Sequence, residues 1–562
     1  MKNVDKLAVG GLLAWTASLT TLIVMPSSAF DPINVPKLLV IAIGGFIALG
    51  ALITQIKFCL AREYRSIQLF AFAFILDLLV VLIISGTNFS QEFFGTFGRA
   101  TGFVAYISLT FLLVAAVFVA DTSLLSKIKS ALLISGAFSN LYGLLQIVDA
   151  DPFNWVSAYN PVIGFLGNPN FQSSFLGFNA VLVFALLLNK RNKLSIQVLL
   201  LIDLIVSIYV IKSTDSQQGL LVVLGGVAFV SLIWVNKSKL KFLTIPALIT
   251  SVFAGLLVAL GSINSGPLAG LLYKSSVTYR GDYWRAGWEM TLAHPFFGVG
   301  LDSYGDWYQR ARTEEATLRR GPEVVSNAAH NVLLDLSSNG GFPLLVIYLF
   351  LIALVFVSSI KVIRRIENFN PIFSGLFAVW ICYQAQSLIS LNQLGLAVWG
   401  WIISGLLIGY EINTRGKDLA PSSMNKNLKS GTAIATSRQK ISANVLVGMF
   451  LGGLVGSAVG LPPVIASTKF LSAIKSQDSV KIQAAAYISP LDANNMYVVT
   501  NILASNKYRA EALDVSKDSI EKFKDNYSIW AVRSTIEGLA ETEKKEAIAQ
   551  MKRLDPYNPN LK

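Results

Sequence analysis

Few side chains in this sequence could do chemistry, and most of them fall in one polar stretch between two apolar runs. Residues 262–329 contain Tyr279-Arg280-Gly281-Asp282-Tyr283-Trp284-Arg285, then His294-Pro295 and Gly298-Val299-Gly300. They end at Ala329, and His330-Asn331 follows, with Asn339-Gly340-Gly341 a few residues on. His294 and His330 are the only histidines in 562 residues. An imidazole with an ordinary pKa of about 6.5 can take or give a proton near neutrality. A guanidinium offers rigid, bidentate donors to an anionic oxygen pair. The stretch 262–328 holds seven Lys or Arg and seven Asp or Glu, so single placed arginines fit better than a generic basic patch. Plainer roles stand beside these. Arg280 could snorkel at an interface, His330 could be a satisfied polar residue where the chain re-enters the membrane, and His294 could close a helix before its proline. Trp284, Trp288 and Trp307 suit an interfacial belt or stacking on sugar rings. Two further acids, Asp77 and Asp203, lie in the middle of apolar runs, where a carboxylate is costly and a candidate proton or ion site.

The elements that must position these groups are membrane helices. Hydrophobic residues make up 53% of the chain and charged ones 14%, against about 25% charged in an ordinary soluble domain. Thirteen apolar spans are expected, at 7–25, 37–56, 67–86, 102–120, 130–147, 171–188, 195–211, 218–235, 243–261, 342–360, 372–390, 394–411 and 443–465. The net charge of +13 resides in alternate short loops. One set carries Lys57, Arg62 and Arg65, then Lys127 and Lys129, then Lys190, Arg191 and Lys193. It continues with Lys237, Lys239 and Lys241, then Lys361, Arg364 and Arg365, then Arg415 to Lys440. The opposite short loops hold little beyond Arg99 and Lys212. This asymmetry predicts an inside N-terminus and an outside C-terminus, and puts residues 262–329 outside. The first span has a signal-like flank and is read as an uncleaved anchor. No basic stripe interleaved with aromatics is present, which argues against nucleic acid. Cys59 and Cys382, the only cysteines, make a disulfide scaffold or a cysteine-rich metal site untenable.

An Arg four residues ahead of a Trp, a helix ending in His-Pro, then Gly-x-Gly, then Ala-His-Asn before Gly-Gly is a pattern that resembles the O-antigen ligase and polymerase family. Gly167-Asn168-Pro169-Asn170-Phe171 is similar to that family's Gly-Asn-Pro-Asn turn. The likeness covers roughly 160–400. It implies an all-α, polytopic transmembrane helix bundle of glycosyltransferase C-like type in a bacterial inner or plasma membrane. It also implies a metal-independent, inverting sugar transfer with no cofactor, from a polyprenyl-pyrophosphate-linked glycan donor to a glycan, lipid or protein acceptor. By motif match His330 takes the place of the family histidine, acting on the acceptor hydroxyl, and Arg280 that of an arginine engaging the donor pyrophosphate. Arg285, Gln217, Gln218, Asn168, Asn170 and Asn331 are the accompanying substrate-binding candidates. Where the family carries an Arg between two spans, this chain reads Ser213-Thr214-Asp215-Ser216-Gln217-Gln218-Gly219. Gln217 and Gln218 donate hydrogen bonds but bring no positive charge. Either another cation substitutes, the donor differs, or activity is lower; Lys212, Arg285, Arg310, Arg312, Arg319 and Arg320 are the possible substitutes.

The expected organisation is 1–160, N-terminal spans; 161–412, the ligase-like core with external loop 262–329; 413–441, a cytoplasmic tether; 442–466, a last span; and 467–562, an extracytoplasmic tail. In that tail Ala512 and Ala547 stand 35 residues apart in similar surroundings, a spacing that resembles tetratricopeptide repeats and suggests a platform for a protein partner. Two other functions remain at this level: a transporter using Asp77 and Asp203, or a non-catalytic envelope assembly factor.

Overall fold

The computed structural model describes residues 2–153, 155, 160–189, 191–416 and 440–561, so most of the expected tether lies outside the described residues. Every described element is helical, and each of the thirteen apolar runs forms a helix. These are α1 (Asn3–Leu22), α2 (Asn34–Ile53), α3 (Arg65–Ile84), α5 (Phe103–Val119), α6 (Thr122–Ile147), α7 (Pro169–Leu187) and α8 (Leu194–Ser213). Further along come α9 (Gln217–Asn236), α10 (Thr244–Ser262), α14 (Val332–Arg365), α15 (Pro371–Ser387), α16 (Leu394–Asn413) and α17 (Ala443–Lys475). Among the described residues ten helices are long and apolar enough to cross a membrane. The other three, α1, α5 and α15, pack among them, α5 and α15 with 17 residues each. A short α4 (Phe89–Phe94) follows α3. The chain is thus an all-α polytopic membrane protein.

Loops expected on one face do meet. Asp31 accepts from the Gly98 N–H, Asp302 from the Thr96 and Thr101 N–H groups, and Asp492 from the Phe97 N–H. On the other face Asp5 accepts from the Ser442 N–H and hydroxyl, Tyr64 donates to Asn413, and Arg365 donates to Thr414. These contacts hold several loops of each set against one another.

Two span boundaries differ from expectation. α17 continues to Lys475, about 49 Å at 1.5 Å per residue, longer than a hydrocarbon core of about 30 Å. The change to polar residues near Ser467 therefore falls inside a helix that rises out of the apolar layer. Gly448, Gly452, Gly456 and Gly460 form a stripe along α17 against α2, and a Cβ at Gly448 would come 2.4 Å from the Gly50 carbonyl oxygen. Small residues at this period let two membrane helices touch backbone to backbone. α14 starts at Val332 rather than at 342, because its first turns are polar and buried (Asp335, Ser337, Ser338, Asn339). It breaks at Gly341, whose φ is 75°.

The polar stretch folds into α11 (Ser275–Ala293), α12 (Tyr304–Ala311) and α13 (Glu314–Arg320). The tail contains α18 (Ser479–Ala485), α19 (Ala493–Ser505), α20 (Arg509–Lys522), α21 (Tyr527–Ser534) and α22 (Glu541–Leu554). Asp492 and Asn526 cap α19 and α21, and Ala512 and Ala547 are both fully buried at helix contacts. The tail does not stand free. Arg312 pairs with Asp555 at 2.6 Å, both buried, and Arg310 pairs with Asp525 at 3.3 Å. The Asn526 side chain also donates to Asp306.

Candidate active site

α11 buries one stripe, Tyr283, Ala286 and Met290, against Tyr304, Tyr308 and Ala329. These positions recur at three and four residues, the period of one helix face. Tyr304 donates its hydroxyl to the Tyr283 carbonyl oxygen at 2.7 Å, tying α12 to α11. The C-terminal end of α11 is fixed by glycines. Gly298 (φ 61°) and Gly341 (φ 75°) adopt backbone that favours glycine, and a Cβ on either would strike the opposite main chain at 2.3 to 2.6 Å. Across this contact Val299 N–H donates to Ser338 O, Gly300 N–H to Asn339 O, and Phe342 N–H to Pro295 O. The His-Pro, Gly-x-Gly and Gly-Gly motifs are one knot that binds the end of α11 to the break in α14.

His330 sits at the other end of that short segment of α14. Ala329 is fully buried and its N–H donates to Asp335 at 2.7 Å; Asn331 caps the helix by accepting from the N–H groups of Leu333 and Leu334. Between these two anchored residues His330 takes φ 53°. That conformation costs a non-glycine residue about 1–2 kcal/mol. It throws the imidazole back onto α11, where it stacks on Tyr283 with centroids 5.4 Å apart. Strain held in place by flanking anchors is a mark of functional positions.

Three guanidinium groups act on this ring. Burial first, then the charges of Arg280, Arg99 and Arg320, push the His330 pKa down to about 4, so the imidazole is neutral and able to accept a proton at physiological pH. Arg280, on the same helix as Tyr283, is half-buried, and among the described residues its guanidinium forms no hydrogen bond or ion pair. Burial lowers its pKa, as expected of an uncompensated cation. Arg320 donates to the Tyr283 hydroxyl and lies 4.1 Å from the Tyr279 ring centroid. Arg99 differs: it is buried against Asp302 at 2.9 Å and Asp335 at 3.8 Å, and donates to Asn327 O.

Residues 202–349 match the family model described as O-antigen ligase. Over this segment, about a quarter of its length, the chain is similar to O-antigen ligase. A search of curated proteins gives no match. The matched segment contains Gln217, Gln218, Arg280, Arg285, Arg320 and His330, while Asn168, Asn170, Arg99 and the tail lie outside it.

The remaining candidates fall in different places around His330. Asn168 caps α7, Asn170 accepts from the Ser216 hydroxyl at 2.7 Å, and Ser216 caps α9, so the Gly-Asn-Pro-Asn turn and the Gln-Gln turn form one polar shelf. Gln217 donates to Leu271 O at 3.3 Å, and Gln218 is buried with its carbonyl oxygen unpartnered. Lys274 reaches Asp215 at 3.7 Å, docking the start of α11 onto this shelf. Arg285 is exposed, about 140° around α11 from Arg280, and is not brought to His330. Asn331 spends its carbonyl oxygen on the helix cap. His294 closes α11 through its N–H and packs edge-on against Trp307 at 4.7 Å.

The intramembrane acids are also separated from the site. Asp203 accepts from Asn140 at 2.8 Å and Asn179 at 2.9 Å, in a hydrogen-bonded network that also includes Ser207. Asp77 is half-buried on α3 with one oxygen unpartnered.

Arg99, Asp302 and Asp335 were not anticipated. The one available signal was Arg99 itself, a basic residue in a loop whose neighbours on that face carry almost none. The segment Arg310 to Arg320 offered equivalent arginines by sequence, and the structure separates them: Arg310 and Arg312 hold the tail, Arg319 pairs with Asp282 at 3.3 Å, and Arg320 alone turns to His330.

Proposed function

We propose that the chain transfers a glycan from a polyprenyl-pyrophosphate carrier to an acceptor hydroxyl at the external membrane face. The observation that carries this reading is a neutral, stacked His330 beside Arg280, a guanidinium left without a carboxylate. Leaving a half-buried cation unpaired is unfavourable in the resting protein and makes sense where an anion arrives. In the transfer the acceptor oxygen bonds to the anomeric carbon as the bond from that carbon to the carrier phosphate breaks. The bonding pair leaves with the pyrophosphate, whose added charge Arg280 stabilises, and His330 receives the acceptor proton. Attack opposite to the leaving group inverts the anomeric centre. The guanidinium supplies the charge stabilisation that a divalent metal gives in other transferases. The isoprenoid tail stays in the bilayer while the phosphates reach the loop, which suits a site built where the polar helix α11 packs on the start of α14. We read the tail as a helical-repeat platform with one edge fastened to α12, its free surface open to a protein partner or acceptor.

The test follows glycan transfer from polyprenyl-linked donor in membranes containing matched amounts of wild type, His330→Ala and Arg280→Ala. Loss of transfer in both supports the reading; wild-type transfer in both removes these residues from the reaction. In a strain lacking the chain, short unpolymerised surface units would identify a polymerase, and unattached long chains a ligase.

A further inference from the structure

We infer that Arg320 is the second phosphate-binding cation of this site and supplies the positive charge that Gln217 and Gln218 lack. The inference rests on the transfer reading above, and goes beyond it in assigning the diphosphate specificity of the donor site to one residue. Among the described residues the arginines of the polar stretch divide by partner. Arg310, Arg312 and Arg319 each pair with a carboxylate, and Arg285 is exposed on a different face of α11. Arg280 and Arg320 have no carboxylate partner, and both act electrostatically on His330.

Arg320 is held in a way that leaves charge available. Its guanidinium lies over the Tyr279 ring at 4.1 Å and near the Tyr283 ring at 5.1 Å, and one of its nitrogens donates to the Tyr283 hydroxyl. Aromatic faces and a phenol orient a guanidinium without cancelling its charge. Tyr279 and Tyr283 lie one turn apart on α11, with Arg280 between them in sequence, so Arg320 is held against the turn of α11 that carries Arg280. His330 stacks on the same Tyr283 and stays neutral, adding no third charge. Two uncompensated guanidinium groups around a neutral imidazole match a pyrophosphate better than a single phosphate. Gln217, by contrast, spends its amide on Leu271 O, and Gln218 is buried.

The experiment uses the full chain in nanodiscs and compares binding of a polyprenyl pyrophosphate with that of the corresponding polyprenyl monophosphate. Wild type binds the pyrophosphate more tightly. Arg320→Ala loses that preference by roughly tenfold or more, as expected for one charge-assisted contact, with little change for the monophosphate. Arg320→Lys keeps part of the preference, and Tyr283→Phe, which retains the charge but not its hydroxyl anchor, falls between. Equal loss of both lipids in Arg320→Ala, or an unchanged preference, overturns the assignment. The transfer reading is judged separately by His330→Ala: if Arg320→Ala leaves lipid preference intact while His330→Ala abolishes transfer, only the role of Arg320 fails. If wild type itself shows no preference for pyrophosphate, both fail.

Discussion

Two charged clusters lie side by side in and beneath the polar stretch 262–329 and are built on opposite rules. In the first, Arg99 is buried between Asp302 and Asp335, and Asp302 is further bonded by Thr96 and Thr101. In the second, Arg280 and Arg320 flank His330 with tyrosines and no carboxylate. The first cluster joins the loop after α3 to the start of α14, and its charges answer each other. The second leaves charge unanswered on a surface held rigid by the first. A paired cluster is a structural device, and we read the unpaired one beside it as the place proposed for the donor's anion.

This contrast can be broken most forcefully by reversing the roles. Arg99→Ala leaves Asp302 and Asp335 buried without their cation, a loss of about 3–5 kcal/mol. The expected result is a marked fall in folded protein and melting temperature in detergent, whereas Arg280→Ala melts like wild type or slightly above it. Equal destabilisation by the two substitutions would end the distinction. A second, smaller effect concerns the tail. Asp555→Ala strands the buried Arg312 and costs about 3 kcal/mol, which limited proteolysis reads as faster cleavage within 467–562. A double-mutant cycle with Arg312→Ala should show strong coupling; additive effects would mean that the tail is held elsewhere.

The pH dependence is smaller but diagnostic. The His330 pKa is lowered, so the unfolded chain binds the proton more readily than the folded one. Its stability contribution is complete above about 6.5 and declines as pH falls from there towards about 4. Transfer should accordingly stay level from pH 8 to 6, with the acid limb near 4; a limb near 6.5 would show an ordinary solvated histidine. The smallest effect comes from the strained backbone. His330→Gly and His330→Ala lose the same ring, but glycine accepts the φ of 53° more easily, so the glycine variant should be more stable by about 1 kcal/mol in chemical denaturation.

The membrane architecture was legible because each span is a run of about 20 apolar residues, and such a run has few alternatives in lipid. The motif order around Arg280 and His330 was legible as a pattern, yet its division of labour was not. Gly298 and Gly341 serve to bring two main chains together, which becomes visible only when residues 40 positions apart meet. The sorting of Arg310, Arg312, Arg319 and Arg320 depends on Asp525 and Asp555, more than 200 residues away, and on Asp282 and Tyr283 across the loop. No local spacing encodes those choices. The start of α14 was missed because hydropathy reads Asp335 to Asn339 as loop, although these polar side chains are buried in its first turns.

The central claim is that the cation without a carboxylate carries the reaction. The direct test is the rate of glycan transfer by Arg280→Gln, reconstituted with polyprenyl-pyrophosphate donor at matched amounts of folded protein. Removing a donor that acts on developing charge should lower the rate by roughly a hundredfold or more with no change in melting temperature. A wild-type rate in that variant would contradict the account.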